Sequence, residues 1–387
     1  MWVVEYDSRN PKLYPEDPPR ALDFTILSDP SQLPLQKNLM AVKIFITGVT
    51  GYIGGDSLYA LYQKYPEWEY CALVRTQAKA DQVQRQYPKL RIVLGDLDDF
   101  ATLQEESAKA DIVLHTADAS DHEGAARAIA AGLAEGHTPS SPGFWLHTGG
   151  TGILTYEDSK NNRLGEWSTK EYNDLSGVDE LTHLPDDAFH RNVDKIVLEA
   201  GTKYSDRVKT ALVCPPTIYG NGRGPVSGRS RQVYELTKLI LQRGYTPIVG
   251  AGKARWNHVH IYDLAAAFVL LAEAAVSKNL SDQIWGARGY HLCESGEHVW
   301  ADLARKISAV AADKGYIPAN PAEKQLSKDE AFEVAGFEAV SWGWNSRGKA
   351  ERLRRFLGWE PKEKGIEDEA DGILEAERSR LQGKMPS

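Results

Sequence analysis

The stretch Gly48-Val49-Thr50-Gly51-Tyr52-Ile53-Gly54 constrains the fold more than any other part of the chain. It follows a short apolar run, Val42 to Thr47, and opens a helical stretch over Asp56–Lys64. Glycines at this spacing let the backbone turn tightly and let a second group approach it closely. The helix that starts there offers free N–H groups and the positive end of its dipole. Strand, glycine turn and helix N-terminus together build a cradle for a pyrophosphate, so Gly48, Thr50, Gly51, Tyr52, Ile53 and Gly54 are expected to hold a dinucleotide.

The same alternation continues downstream. Apolar runs at Tyr70–Val74, Leu90–Leu94, Ile112–Leu114, Phe144–Leu146 and Thr210–Val213 are separated by helical stretches such as Gly124–Leu133. Strands alternating with helices mean βαβ units and a parallel sheet. Runs that are continuously apolar fit a sheet covered on both faces. The sequence therefore predicts an α/β fold, a Rossmann-type doubly wound parallel sheet of about seven strands, with a smaller C-terminal substrate-cap region. Residues 1–40 are rich in proline and read as an N-terminal extension over the main domain, with Ala21–Leu27 as one strand. Residues 41–285 form the dinucleotide-binding domain, with a cap insert near 220–250 and a helix over Ile261–Val276. Residues 286–387 form a mainly helical cap.

Charge and cysteine usage narrow the partners. The net charge is −9 with no basic block, which argues against nucleic acid and anionic membranes. Cys71, Cys214 and Cys293 lie far apart, so neither a disulfide framework nor a thiolate metal site is expected. His258 and His260 alternate on an extended stretch, but no third ligand of suitable spacing follows, so no metal is expected. The apolar stretch Leu264–Val276 contains Glu273 and is too short to span a bilayer. The N-terminus lacks the apolar core of a secretory signal. The expectation is a reduced, cytoplasmic protein acting on a small carbonyl or hydroxyl compound, with a homodimer allowed.

The second strand ends at Arg75, 21 residues past Gly54, where an acid would bind the ribose 2′-hydroxyl of NAD. An arginine instead pairs with a 2′-phosphate, so NADP is expected over NAD.

These residues resemble the extended short-chain dehydrogenase/reductase family, the group of nucleotide-sugar epimerases, dehydratases and carbonyl reductases. The resemblance covers roughly residues 42–365 and rests on several motifs in order. They are the glycine turn, Gly95-Asp96-Leu97, His115-Thr116-Ala117, Pro215 to Gly220, Trp256 to Leu264, and Leu357 to Pro361. It implies that Asp96 and Leu97 line the adenine, Thr116 and Ala117 run beside ribose and phosphates, and Pro215 sits near the nicotinamide. Tyr219, Trp256 and Trp359 read as packing residues.

The family's chemistry uses a tyrosine four residues before a lysine on one helix, with a serine or threonine after the fifth strand. The helix is expected from Asp187 to Ala200, with Phe189, Val193, Ile196, Val197 and Ala200 as its apolar stripe. Lys195 matches the family lysine, which implies contact with the nicotinamide ribose, but Arg191 stands where the tyrosine belongs. Arginine does not release a proton near neutral pH. His190, five positions before Lys195, is expected to face elsewhere on that helix. The serine position falls near Gly149, leaving Thr151 as the better hydroxyl and Thr148 as the other. A literal tyrosine–lysine spacing occurs at Tyr156 and Lys160, in a stretch that reads as loop. The expected catalytic set is Lys195, Thr151 and Tyr156. Arg223, Arg229 and Arg231 offer cations to an anionic substrate, or a solvated basic loop.

The expected activity is an NAD(P)-dependent oxidoreductase that reduces a ketone or aldehyde with a non-standard site. A cofactor-binding sensor without turnover is the alternative, motivated by the missing tyrosine and serine. A nucleotide-sugar epimerase or dehydratase is the third reading.

Overall fold

In the computed structural model, residues 41–383 are described. The expected N-terminal extension, with its strand at 21–27, lies outside them. Continuous apolar runs become strands because both faces are covered. β1 (Lys43–Thr47), β2 (Glu69–Val74), β3 (Arg91–Leu94), β4 (Ile112–His115) and β5 (Gly143–Thr148) alternate with α1 (Tyr52–Lys64), α2 (Gln77–Gln86), α3 (Phe100–Lys109) and α4 (Glu123–Gly136). A single 3₁₀ turn, Thr151–Thr155, runs into the one-turn helix α5 (Tyr156–Lys160). β6 (Tyr172–Asn173) and α6 (Val178–Thr182) precede the longer α7 (Arg191–Lys203) and β7 (Val208–Cys214).

Later elements divide between the main sheet and a second, largely helical core. They are β8 (Thr217–Tyr219), α8 (Gln232–Arg243), β9 (Thr246–Val249), β10 (Arg255–His260), α9 (Ile261–Val276), β11 (Tyr290–Leu292), β12 (Gly296–Val299), α10 (Trp300–Asp313), β13 (Glu323–Leu326), α11 (Lys328–Ser341), β14 (Gly348–Lys349), α12 (Arg352–Leu357) and α13 (Ala370–Leu381).

The main sheet has seven strands in the order β3-β2-β1-β4-β5-β7-β11. Every pairing in it is parallel. The order reverses between β1 and β4, which opens a crevice at their C-terminal ends. The last strand, Tyr290–Leu292, lies past the boundary expected at residue 285. A separate small sheet, β12-β10-β8, pairs β10 with β12 antiparallel and with β8 parallel.

The interior divides into two cores. One surrounds the main sheet and includes Ile44, Phe45, Trp145, Leu212, Phe268 and Trp359. The other lies between α8, α10, α11 and α13 and includes Tyr234, Trp256, Trp300, Leu326 and Leu374. Tyr219 and Trp359 are packing residues with bonded polar tips: Tyr219 Oη donates to the Lys364 carbonyl (2.5 Å) and Trp359 Nε1 to that of Asp263 (2.8 Å). His258 sets its ring against His298, Nδ1 to Nδ1 at 3.2 Å, and His260 accepts from Tyr262 N–H (3.2 Å). No described helix is long and apolar enough to cross a membrane.

Candidate active site

A cleft of about 1070 Å³ follows the crevice at the switch point. Gly48, Thr50, Gly51, Tyr52, Ile53, Gly54, Arg75, Asp96, Leu97, Thr116, Ala117 and Pro215 all line it. Gly48 sits at φ +87°, a conformation L side chains rarely adopt. A Cβ on Gly54 would collide with Thr116 Oγ1 and the Gly48 carbonyl. The turn is thus folded onto the end of β4, where Thr116 Oγ1 donates to the Thr47 carbonyl (2.7 Å). Thr47 Oγ1 and His115 Nδ1 share a second bond (2.6 Å) across the same two strands.

These residues fit a dinucleotide pyrophosphate. Gly51, which precedes α1, offers no side-chain cap, and the first turn holds no acidic residue. The unpaired N–H groups and the dipole end therefore face the cleft without competition. Arg75, exposed at the end of β2, lines the same cleft.

The expected catalytic set does not assemble there. Lys195 is not among the cleft-lining residues. It is half-exposed, and its Nζ donates to Asp186 (2.8 Å). Arg191 turns inward and donates from Nη2 to the Thr182 carbonyl (2.7 Å). Tyr156 and Lys160 do lie on a helical turn, contrary to the loop expected, and Lys160 Nζ donates to Tyr156 Oη. Tyr156 Oη in turn donates to Asp187 (2.9 Å), and neither residue lines the cleft.

Thr151 does line it. Its backbone is pinned on both sides: its N–H donates to the Pro215 carbonyl (3.1 Å), and its own carbonyl accepts from Ser346 Oγ (2.6 Å). Its hydroxyl is buried and has no partner among the described residues. A buried hydroxyl left unpaired costs about 1–3 kcal/mol.

His190 departs furthest from expectation. The helix begins at Arg191 instead of Asp187, and His190 stands before it at φ +68°. Turns from Pro185 to Ala188 and from Ala188 to Arg191 occupy the stretch in between. Counting 100° per residue back from Lys195 therefore fails, because His190 and Phe189 are not helical. Both line the cleft, and Phe189 leaves the apolar stripe assigned to it. His190 Nδ1 meets Asp121 Oδ1 at 2.7 Å. Burial raises the Asp121 carboxyl, but the bonds from His190 and Ser120 outweigh it and hold the group below its ordinary value. Asp121 is thus an acceptor, so Nδ1 is the donor.

Asp194 was also missed. It is buried on the inner face of α7 and accepts from Tyr290 Oη (3.4 Å). Burial pushes its carboxyl up to about 7.

The far end of the cleft is aromatic. α11 breaks at Ala335–Gly336, just before Phe337, Glu338 and Ser341, which line the cleft. Phe337 packs on Phe189 with ring centroids 5.0 Å apart, and both are partly exposed. Trp256 and Ile218 also line this end. The cations expected there are paired. Arg223 binds Asp56 (2.5 Å), Arg229 binds Glu377 (2.5 Å) and Glu235 (2.8 Å), and Arg231 binds Glu338 (2.6 Å).

Comparison with known proteins agrees with this architecture. The model of the NAD dependent epimerase/dehydratase family matches residues 44–135 and 187–284. The oxidase ucsJ of Acremonium sp is 41% identical over 348 residues, covering 88% of this chain and 99% of that protein. The crystal structure of DesIV, a dTDP-glucose 4,6-dehydratase from Streptomyces venezuelae, superposes with a TM-score of 0.59 at 16% identity, covering 88% of this chain and 97% of that one. A UDP-glucose 4-epimerase from Thermotoga maritima gives 0.58 at 14% identity, covering 87% and 99%. At such identities the two structures speak for the fold alone, while the oxidase and the family model speak for descent. The chain belongs to the NAD dependent epimerase/dehydratase family.

Proposed function

We propose that this protein is an NAD(P)-dependent oxidoreductase that interconverts a carbonyl and an alcohol on an uncharged, largely apolar substrate. One observation carries the reading. A single cleft joins the free amides of α1 to Thr151, whose buried hydroxyl lacks a partner among the described residues, and then to the aromatic wall of Phe189 and Phe337. The dinucleotide, when bound, supplies or accepts the hydride. The chain's own residues hold the pyrophosphate at Gly48–Gly54, hold the substrate oxygen at Thr151 and exclude water with the aromatic wall. Arg75 supports a preference for NADP, since a guanidinium pairs with a 2′-phosphate.

The solved neighbours named above act on nucleotide sugars. The substrate end here favours a different compound, because Arg223, Arg229 and Arg231 are each committed to a carboxylate. A sugar diphosphate would have to displace one of those pairs. The test is a titration with NADPH and NADH, followed by a panel of aromatic and aliphatic ketones, aldehydes and alcohols beside UDP-glucose. Dinucleotide oxidation with the aromatic carbonyls, and none with UDP-glucose, is the expected result. Turnover of UDP-glucose alone would replace this reading with the nucleotide-sugar one.

A further inference from the structure

We propose that His190, oriented by Asp121, is the proton donor and acceptor of this site. The inference rests on the oxidoreductase reading above and adds the residue that replaces the missing tyrosine. Three independent features support it.

The first is backbone conformation. His190 is a non-glycine residue in the left-handed region, which costs on the order of 1 kcal/mol. A strained residue at a cleft is retained when its placement is used. Here the strain takes the ring off the axis of α7 and lays it over the loop after β5.

The second is space. A Cβ on Gly150 would lie 3.3 Å from His190 Nε2, and one on Gly152 would lie 3.2 Å from it. Gly150, Thr151 and Gly152 all line the cleft. The two glycines that flank Thr151 therefore leave room for Nε2 beside its backbone. Among the described residues, Nε2 has no hydrogen-bond partner.

The third is the partner. Asp121 accepts from Nδ1, which fixes the tautomer and leaves Nε2 to exchange a proton. A carboxylate behind an imidazole, with the second nitrogen turned to the reacting oxygen, is an acid/base arrangement found on unrelated folds. The other charged or titratable groups coupled to the pair are His147 and Asp194, which feel the His190 charge, Arg191, which acts on Asp194, and Arg231, which acts on Asp121.

In the reducing direction, the carbonyl carbon gains a hydride with its two electrons from the reduced dinucleotide. The carbonyl π pair moves to oxygen, which takes the proton from Nε2. The N–H bond breaks, imidazolium becomes imidazole, and Asp121 keeps its bond to Nδ1–H. The oxidising direction reverses each step.

The experiment compares the parent with His190→Asn and Asp121→Asn. Asparagine tolerates the left-handed backbone, so His190→Asn tests chemistry without adding strain. Three readouts are taken: dinucleotide affinity by fluorescence, turnover on the carbonyl panel, and labelling of His190 by diethyl pyrocarbonate located by mass spectrometry. His190→Asn should keep dinucleotide affinity and lower kcat by about a hundredfold or more. Asp121→Asn should lower kcat roughly tenfold and slow the labelling. In the parent, dinucleotide should protect His190 from the reagent.

A His190→Asn protein with kcat near that of the parent overturns the proposal. So does a His190 left unlabelled while exposed His183 reacts. If the parent binds dinucleotide but reduces nothing, the oxidoreductase reading falls, and the labelling decides whether the His190–Asp121 pair is reactive. If the parent binds no dinucleotide, both readings fall.

Discussion

Arg223 donates to Asp56 from both its backbone N–H (2.8 Å) and its Nε (3.1 Å), closing a bond across 167 residues. Asp56 is fully buried on α1, a few residues beyond the glycine turn. Losing one partner of a buried pair costs about 3–5 kcal/mol, because the other charge is stranded. Arg223 is partly exposed, so water softens that penalty. Arg223→Ala should lower unfolding free energy by about 2–3 kcal/mol, read as a shift in the urea midpoint. Adding Asp56→Asn should recover part of the loss. A midpoint that does not move would show that the pair has no net effect.

Arg75 sets the second expectation. NADPH should bind about ten- to a hundredfold tighter than NADH, the worth of one charge-assisted phosphate contact. Arg75→Ala should erase most of the difference while leaving NADH affinity unchanged. Isothermal titration of both dinucleotides against both proteins measures it, and equal affinities in the parent would remove Arg75 from cofactor choice.

Thr151, Tyr156 and Lys195 should separate in a mutant series. Thr151→Ala should reduce kcat by about a hundredfold, the usual cost of one lost donor to a reacting oxygen. Tyr156→Phe should lose about 1 kcal/mol of stability with its bond to Asp187, with kcat barely changed. Lys195→Ala, which breaks an exposed pair with Asp186, should change little in either measurement. A large kcat loss in Tyr156→Phe would mean that the tyrosine reaches the cleft during turnover.

Asp194 gives a pH signature. Its folded carboxyl titrates at about 7, whereas an unfolded aspartate titrates near 3.9. Between those values the folded state holds a proton that the unfolded state has lost. Stability therefore falls as pH rises from about 4 to 7 and levels off above. Asp194→Asn removes the titration, so its melting temperature should exceed that of the parent at pH about 8 and approach it at pH about 4. The gain has a ceiling of about 4 kcal/mol. A parent and variant whose melting temperatures run parallel from acid to neutral pH would show that Asp194 ionises normally.

Most of the sheet was legible because its central strands are buried on both faces and so read as unbroken apolar runs. β11 was not, since three residues, Tyr290–Leu292, carry too little pattern to stand out. The glycine turn and the residues after β2, β3 and β4 were legible because their roles belong to the backbone and to strand ends. The chemistry end was harder. Helical counting placed His190 on the wrong face, because the left-handed residue that ends the preceding turns leaves no trace in periodicity. The polar stretch Tyr156–Lys160 hid a helical turn whose support is tertiary. Arg229 read as a free cation because its partner, Glu377, lies 148 residues away.

The two separate cores have a consequence for how this molecule can vary. The glycine turn and Thr116 rest on the sheet core, while Phe337, Glu338 and Trp256 rest on the core between α8, α10, α11 and α13. A change on the helical side alters the shape of one end of the cleft and leaves the foundations of the other end in place. Laboratory evolution of new substrates should therefore concentrate on residues 328–341 and their helical neighbours, where a lineage can explore while the glycine-turn half stays constant.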